Sequence, residues 1–316
     1  MINESSKTSS TLIPIAAILG AVLLWGSAFA AMKYLVNFLN PWAVMWIRTG
    51  IATLILTPFT AKMYSPIRGG KDRKALALMA FFMPCLYFLF ESYALTYTSA
   101  TQAGLISASL PLMVAVGAGI FFKERTTIAG WAGLALSMLG VAALTMSGNP
   151  SANANNPALG NFLELLAMCC AAGYMLLVKR LSASYGPWTL TAVQNAAGCV
   201  FFLPGLYLLI RDGIGADPMH TLAIAGYLGA FVTLGAFGLY NVGMSRLPAG
   251  KASAFINLVP AIAAFFGWAI LDETLTFTQI IASGIIFAGV GLAQRGDKIN
   301  IKTNPLSFLR KKPRFD

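Results

Sequence analysis

Apolar residues run along this chain in ten long stretches separated by short polar or turn-rich breaks, and within each stretch every helical face is apolar. The stretches lie near Thr11–Tyr34, Trp42–Met63, Ala75–Thr96, Ala100–Phe122, Ile128–Met146, Ala158–Leu181, Trp188–Ile210, Leu222–Ser245, Ala249–Leu271 and Phe277–Ala293. About 20 such residues carry a helix across the hydrocarbon core of a bilayer, so each stretch predicts one transmembrane helix. A membrane β-barrel would instead show short segments alternating apolar and polar.

The fourth and ninth stretches are versions of one another. TSATQAGLISASLPLMVAVGAGIFFKERTT, from Thr98 to Thr127, returns 149 positions later as LPAGKASAFINLVPAIAAFFGWAILDETLT, from Leu247 to Thr276. Ala100, Ala103, Pro111, Ala115, Glu124 and Thr127 find Ala249, Ala252, Pro260, Ala264, Glu273 and Thr276, and Gly140 and Val141 then find Gly289 and Val290. Upstream the offset is 146: Lys33, Leu35, Pro41, Trp42 and Pro58 find Lys179, Leu181, Pro187, Trp188 and Pro204. The chain therefore reads as two diverged copies of one unit. Each copy has five helices, an odd number, so the second must enter the membrane upside down. The expected fold is an all-α integral membrane protein with ten transmembrane helices in two inverted five-helix repeats. Residues 12–147 and 158–294 form the repeats, 148–157 a linker, and 1–11 and 295–316 the tails. Secondary transporters share this plan, with a site near the midplane and one half rocking on the other. Architecture alone is analogy, so the residues must support it.

Composition agrees with a membrane class: 57% of the residues are hydrophobic and 10% charged, with a mean hydropathy of +0.71. A net charge of +11 would suit nucleic acid, but its distribution points elsewhere. With a cytoplasmic N-terminus, 19 of the 22 Lys and Arg fall in inside segments, Lys33 and Arg211 fall outside, and Arg48 lies within a helix. That asymmetry predicts both termini in the cytoplasm, in a cell inner membrane, with no nucleic-acid partner. The basic tail from Phe308 to Phe315 suits either anionic headgroups or a simple topology anchor. The first apolar run is too long for a signal-peptide core and reads as the first transmembrane helix, preceded by a polar, unstructured segment. All four cysteines lie inside apolar runs, so no disulfide framework is expected. The single histidine, His220, sits at a loop edge, and no metal-binding or nucleophile motif accompanies it. No catalytic constellation, metal or cofactor is expected.

Polar and aromatic residues inside the runs are the candidate chemistry, because each is costly at membrane depth unless it faces protein or water. Trp25 and Phe29 share a helix face, and between them Gly26 and Ser27 admit a close neighbour; the pair suits a ligand or plain packing. Helix six has Ala171 and Met175 at the matching places, with Tyr174 one position away, so a cavity there would be asymmetric in its aromatic lining. Arg48 and Glu91 are the clear intramembrane charges, both roughly 8 to 9 Å below the outer surface at 1.5 Å per residue. They are expected to be neighbours, serving as a structural ion pair or as a site where Glu91 loads a proton or meets a substrate ammonium. Glu164, two turns into its helix, reads as interfacial. Inverting the topology matches Arg48 with Gln194, and Glu91 with Tyr240 beside Asn241. Gln194, Asn195, Asn241 and Asn257 then make a neutral set opposite the charged one. Such a division suits a substrate path with Tyr174, Tyr240, Asn241 and Asn257 along it, or two interhelical hydrogen-bond clusters. Pro111 and Pro260 are expected to kink helices four and nine, as hinges or as tolerated bends. Glu124 and Glu273 precede helix starts, where Thr127 and Thr276 are N-cap candidates and Gln279 completes a capping box. Small-residue stripes (Gly130, Gly133 and Gly140; Gly284, Ala288 and Gly291) serve close packing, within the fold or at a homodimer seam.

Several of these segments recur together in one family. The WGSAF segment from Trp25, Arg48 in MWIRTGIATLIL, the stretch from Tyr93 to Ala100, and the Ser109–Pro111 helix ending in Glu124, all repeated in the second half, resemble the EamA family of the drug/metabolite transporters. The resemblance spans roughly Pro14 to Gln294. It implies a ten-helix inverted-repeat fold that moves small metabolites, often outward, through a cavity lined mainly by helices one, three, four, six, eight and nine. The reading that follows is a secondary transporter in the lipid bilayer, exporting amino-acid-like or other small organic solutes by alternating access. A phosphorylated-sugar or nucleotide-sugar antiporter would want several basic residues in the cavity, where only Arg48 is on offer. A non-transporting scaffold would have little use for an intramembrane acid and arginine.

Overall fold

Short polar side chains and prolines start the helices. Asn40 accepts a hydrogen bond from the Trp42 N–H at 3.0 Å, with Pro41 in the first turn. Ser99 accepts from the Gln102 N–H, Thr127 from the Gly130 N–H, and Asn156, just before Pro157, from the Leu159 N–H. Each satisfies an N–H that the helix itself leaves unpaired. Thr276 and Gln279 bond each other reciprocally, side chain to N–H in both directions, which is a capping box.

The computed structural model describes residues 4–59, 69–122, 127–147, 154–215, 217–246 and 255–302. In the first half, α1 is Glu4–Val36 and α2 is Pro41–Leu56. α3 (Gly70–Ala80) passes through a π-helical segment, Phe81–Leu86, into α4 (Tyr87–Tyr97). α5 (Ala100–Ile106) meets α6 (Leu110–Phe122) through a 3₁₀ turn at Ser107–Ser109, and α7 is Ile128–Met146. The second half holds α8 (Pro157–Leu181), α9 (Pro187–Phe201) and α10 (Pro204–Asp212). α11 (Pro218–Tyr227) passes through a second π-helical segment, Leu228–Ala236, into α12 (Phe237–Arg246). α13 (Val259–Leu271) and α14 (Phe277–Lys302) complete it.

Among the described residues seven helices are long and apolar enough to cross a membrane: Ile13–Val36, Pro41–Phe59, Gly70–Tyr97, Ala100–Gly117, Ile128–Met146, Pro157–Leu181 and Pro218–Gly243. The pair α9 and α10 makes an eighth if taken as one span bent by 55°. Leu54, Val200, Phe231 and Trp268 are among many large apolar side chains left exposed, as suits helices whose outer solvent is lipid.

Several expectations need correction. Residues from Glu4 onward are helical and continuous with α1, where an unstructured tail is expected. The run Trp188–Ile210 is not one straight helix, because Pro204 has no N–H to continue the ladder, and the chain turns at Phe202 and Leu203. Pro111 and Pro260 do not sit within unbroken helices. Each occupies the first turn of a new segment, α6 or α13, where its missing N–H costs nothing. The bends lie just upstream, in the 3₁₀ turn Ser107–Ser109 and at Asn257–Leu258. Glu164 is not interfacial: its residue is fully buried. Glu124, Lys62, Arg68, Lys123, Arg125, Lys251, the start of the linker at 148–153 and the tail beyond Lys302 lie outside the described residues.

Close packing comes from small residues. A Cβ on Gly289 would lie 2.5 Å from the Ser137 N and 2.6 Å from the Gly133 O, and one on Gly140 would lie 2.8 Å from the Ile286 N. Backbone therefore meets backbone between α7 and α14, and these glycines seat the two helices on each other within one chain. Elsewhere, Gly26 of α1 receives the Ile262 side chain of α13.

Candidate functional site

The breaks in the helices surround one central cavity of about 50 Å³. Its wall is built from corresponding places in the two halves. Trp25, Ala28 and Phe29 of α1 line it, and so do Ala171, Tyr174 and Met175 of α8, each 146 positions on. Ser107 and Leu110, flanking the break between α5 and α6, face it with Ile256 and Val259, each 149 positions on. Large and small residues exchange places: Trp25 corresponds to Ala171, and Tyr174 to Ala28. At each of these two pairs of places one half supplies a ring and the other an alanine.

The rings support each other. Trp25 packs on Phe237 at 5.3 Å between centroids and on Tyr240 at 4.9 Å, and Tyr174 meets Phe237 edge-on at 6.2 Å. Such contacts are worth about 0.5–1.5 kcal/mol each beyond area burial and fix the ring planes. The Trp25 indole Nε1 is buried and has no hydrogen-bond partner among the described residues.

Arg48 and Glu91 form the polar side of the cavity. Arg48 Nη1 lies 3.8 Å from Glu91 Oε2, an ion pair too long to be a hydrogen bond. Other contacts hold the guanidinium: Nε donates to the Thr233 hydroxyl, and Cζ stands 4.1 Å over the Phe88 ring. Nη1 has no hydrogen-bond partner among the described residues. The Tyr87 hydroxyl donates to Glu91 Oε1 at 2.5 Å. The cavity thus presents one cation with an open donor, one carboxylate and a phenol, in a wall otherwise apolar.

Of the residues singled out in the sequence, Trp25, Phe29, Arg48, Glu91 and Tyr174 meet at this cavity. Tyr240, Asn241 and Asn257 lie outside its wall. Asn241 donates to the Thr191 hydroxyl at 2.9 Å, Asn195 to the Thr191 carbonyl, and Tyr174 to Gln194 at 3.1 Å. Gln194 and Asn241 are thus tied into interhelical hydrogen bonds behind the wall, whereas Asn195 bonds back within its own helix. Tyr240 packs on Trp25 and so acts on the cavity through another ring.

Three features escaped sequence reasoning, two of them because their partners are remote in the chain. Lys33, expected on the outer side, is buried and donates to the Leu95 carbonyl at 2.7 Å and the Thr98 carbonyl at 3.0 Å, closing the end of α4. Glu273 accepts from the N–H groups of Ala100 and Thr101, both at 2.8 Å, and so caps α5 from the other half of the molecule. Glu164 is the third. Its helix position was visible but its burial was not, and neither carboxylate oxygen has a hydrogen-bond partner among the described residues.

The model for the EamA-like transporter family matches residues 12–146 and again 158–294. The chain belongs to the EamA-like transporter family. An uncharacterized transporter of Archaeoglobus fulgidus is 29% identical over 276 residues, covering 87% of this chain and 96% of its own. The uncharacterized transporter YcxC of Bacillus subtilis is 28% identical, covering 94% and 96%. A probable terminal-alkyne amino-acid exporter of Streptantibioticus cattleyicolor is 24% identical, covering 88% and 92%. A crystal structure of a protein 17% identical superposes with a TM-score of 0.61 over 92% of this chain and 99% of that one, a likeness of fold. As a member of the EamA-like family with several apolar spanning helices, the chain is a multi-pass membrane transporter whose partners are the bilayer and a small-molecule substrate.

Proposed function

We propose that this EamA-like protein is a secondary transporter that exports small, amino-acid-like organic solutes by alternating access through the central cavity. The observation that carries the reading is the wall itself, in which the two copies contribute corresponding residues around one site bearing an open guanidinium donor, a carboxylate and aromatic rings. A zwitterion matches that set: its carboxylate suits Arg48 Nη1 and its ammonium suits Glu91. The wider proposed site includes Trp25, Phe29, Tyr174, Tyr240, Asn241 and Asn257, the last three shaping the wall from behind. One relative's name, a probable amino-acid exporter, points the same way.

A cavity of about 50 Å³ holds a few waters, each needing roughly 10–15 Å³ by this measure, and no solute. Admission therefore requires the wall to open. Matched interruptions give it places to do so: the π-helical segments in the third and eighth runs and the breaks before Pro111 and Pro260. The packing has the same duality. α1 lies against α12 and α13 of the second half, and α8 lies against α4, α5 and α6 of the first. This supports two inverted five-helix repeats and ten spans, the bent pair α9–α10 being the seventh and the shorter α13 and α14 belonging to the ninth and tenth.

The proposed setting is the cell inner membrane with both termini cytoplasmic, from the distribution of Lys and Arg. Thiol labelling of Asn304→Cys from the periplasmic side would overturn that orientation; labelling only after permeabilisation supports it. Counterflow in proteoliposomes tests the function, screened over amino acids, sugars and cationic drugs. Accelerated exchange of amino acids is the expected result, and exchange of sugar phosphates alone would move the protein to the antiporter reading.

A further inference from the structure

The cation of the cavity is held by a residue that lies outside the cavity wall. Arg48 Nε donates to the hydroxyl of Thr233, which belongs to the second π-helical segment, Leu228–Ala236, and is 1% exposed. The Phe88 ring covers one face of the guanidinium at 4.1 Å, and Glu91, 3.8 Å from Nη1, stands too far off to bond it. The bond to Thr233 is therefore the one directional contact that the described residues make with this guanidinium. Because the group is planar, fixing Nε and one face fixes where the terminal nitrogens lie.

Backbone packing brings Thr233 to this place. Gly229, four residues earlier, lies against α2: a Cβ there would come within 2.9 Å of the Arg48 carbonyl oxygen and 2.8 Å of the Ile51 Cβ. With the segment seated so closely, its next turn carries Thr233 alongside the Arg48 side chain. The corresponding seam in the other copy closes differently. There α9 packs on the first π-helical segment, Phe81–Leu86, as α2 packs on the second, and a Cβ on Gly198 would lie 2.5 Å from Pro84 Cγ. Pro84 stands 149 positions before Thr233, and Gln194 stands 146 positions after Arg48. A proline side chain offers no acceptor, and Gln194 accepts from Tyr174 instead. Joining the two elements thus needs no bond at this place. The bond occurs in the copy whose second helix brings an arginine to the cavity.

We propose that Thr233 is a positioning residue that sets the preference of the cavity for solutes bearing a carboxylate. By holding Nε it keeps Arg48 from closing the remaining gap to Glu91, so that Nη1 stays open for the carboxylate of an arriving solute. Without the hydroxyl, Nε needs another acceptor, and Glu91 is the anion at hand; the guanidinium then turns onto Glu91 and its open donor is spent. The inference rests on the transport reading above and adds to it the residue that makes the site select one end of the solute.

The test uses the full chain in lipid bilayers, with equilibrium binding of L-leucine and L-leucinamide. The amide keeps the ammonium and the side chain and lacks the carboxylate. The wild type should bind L-leucine more tightly than L-leucinamide. Thr233→Val, of the same shape without the hydroxyl, should weaken L-leucine about tenfold, the size expected for a long side chain that must be ordered anew on binding, and should leave L-leucinamide nearly unchanged. Thr233→Ser, which keeps the hydroxyl and loses bulk, should keep the preference, and Thr233→Ala replaces the valine variant if that one fails to fold. A role in packing alone would weaken both probes alike and would not be met by serine. A second measurement needs no solute: in protein labelled at the arginine nitrogens, the Nε resonance assigned by its loss in Arg48→Lys should hold its position in Thr233→Ser and move in Thr233→Val. Equal weakening of both probes, a wild type without preference for L-leucine, or an Nε resonance unmoved in Thr233→Val overturns the proposal. If binding and resonance behave as stated but no solute of any class gives counterflow, the role of Thr233 stands and the transport reading falls.

Discussion

Removing Arg48 and Glu91 separately and together measures how far the cavity depends on their pairing. At 3.8 Å and an effective dielectric constant near 20, their attraction is about 4 kcal/mol. Part of it is offset by desolvation, and each partner keeps other contacts when alone: Glu91 keeps the Tyr87 hydroxyl, and Arg48 keeps Thr233 and the Phe88 face. Arg48→Met should cost about 3–5 kcal/mol, the range for a buried pair broken on one side, because it leaves the Glu91 carboxylate buried with no cation. Glu91→Gln should cost less, since Arg48 retains the Thr233 hydroxyl and the face of Phe88. In the double variant about 2 kcal/mol should be recovered relative to the sum, well inside the range for contacting residues. The assay is the unfolding midpoint in one detergent for the wild type, both single variants and the double variant. The Arg48→Met loss should also shrink as pH falls, because a proton neutralises the unpaired Glu91 carboxylate. Additive losses, or a loss independent of pH, would refute the reasoning.

Two further substitutions probe the ends and the seams of the bundle. Glu273→Ala removes both acceptors from the start of α5 and should cost about 2–3 kcal/mol, with Glu273→Gln losing roughly half as much because one oxygen remains; a wild-type midpoint in the alanine variant would show that the cap carries no weight. Gly289→Ala forces a methyl group against the α7 backbone and should cost about 1–3 kcal/mol, whereas Gly284→Ala meets nothing within 4 Å and should be neutral or slightly stabilising in the same melt.

Long-range placement is where sequence and structure part. Hydrophobic runs, N-caps and the duplication are local or periodic, and the helix starts at Pro41, Ala100, Ile128, Pro157 and Phe277 agree with them to within a residue. Arg48 and Glu91 were legible as neighbours because opposite charges at one depth have few other partners in a membrane. Trp25, Phe29 and Tyr174 were legible as a group because the repeat sets them at matching depths. What the chain order hides is which side of a helix each neighbour takes.

Glu164 read as interfacial from its distance along the helix, but depth along an axis says nothing about the facing helices, and the elements packed on α8 leave it fully buried. Pro260 read as a kink within a span, yet the turn at Asn257–Leu258 relocates it to a helix start. Glu273 lies 173 residues from the Ala100 N–H it caps, and Lys33 lies 62 from the Leu95 carbonyl it closes, so neither bond leaves a local trace. By itself the sequence determined the class, the number of apolar runs and the duplicated plan, because hydrophobic length and periodicity are properties of a segment. The cavity, its buried acid and the long-range contacts that cap α4 and α5 were decided by tertiary packing, because a site's chemistry depends on which side chains are brought together and kept from water.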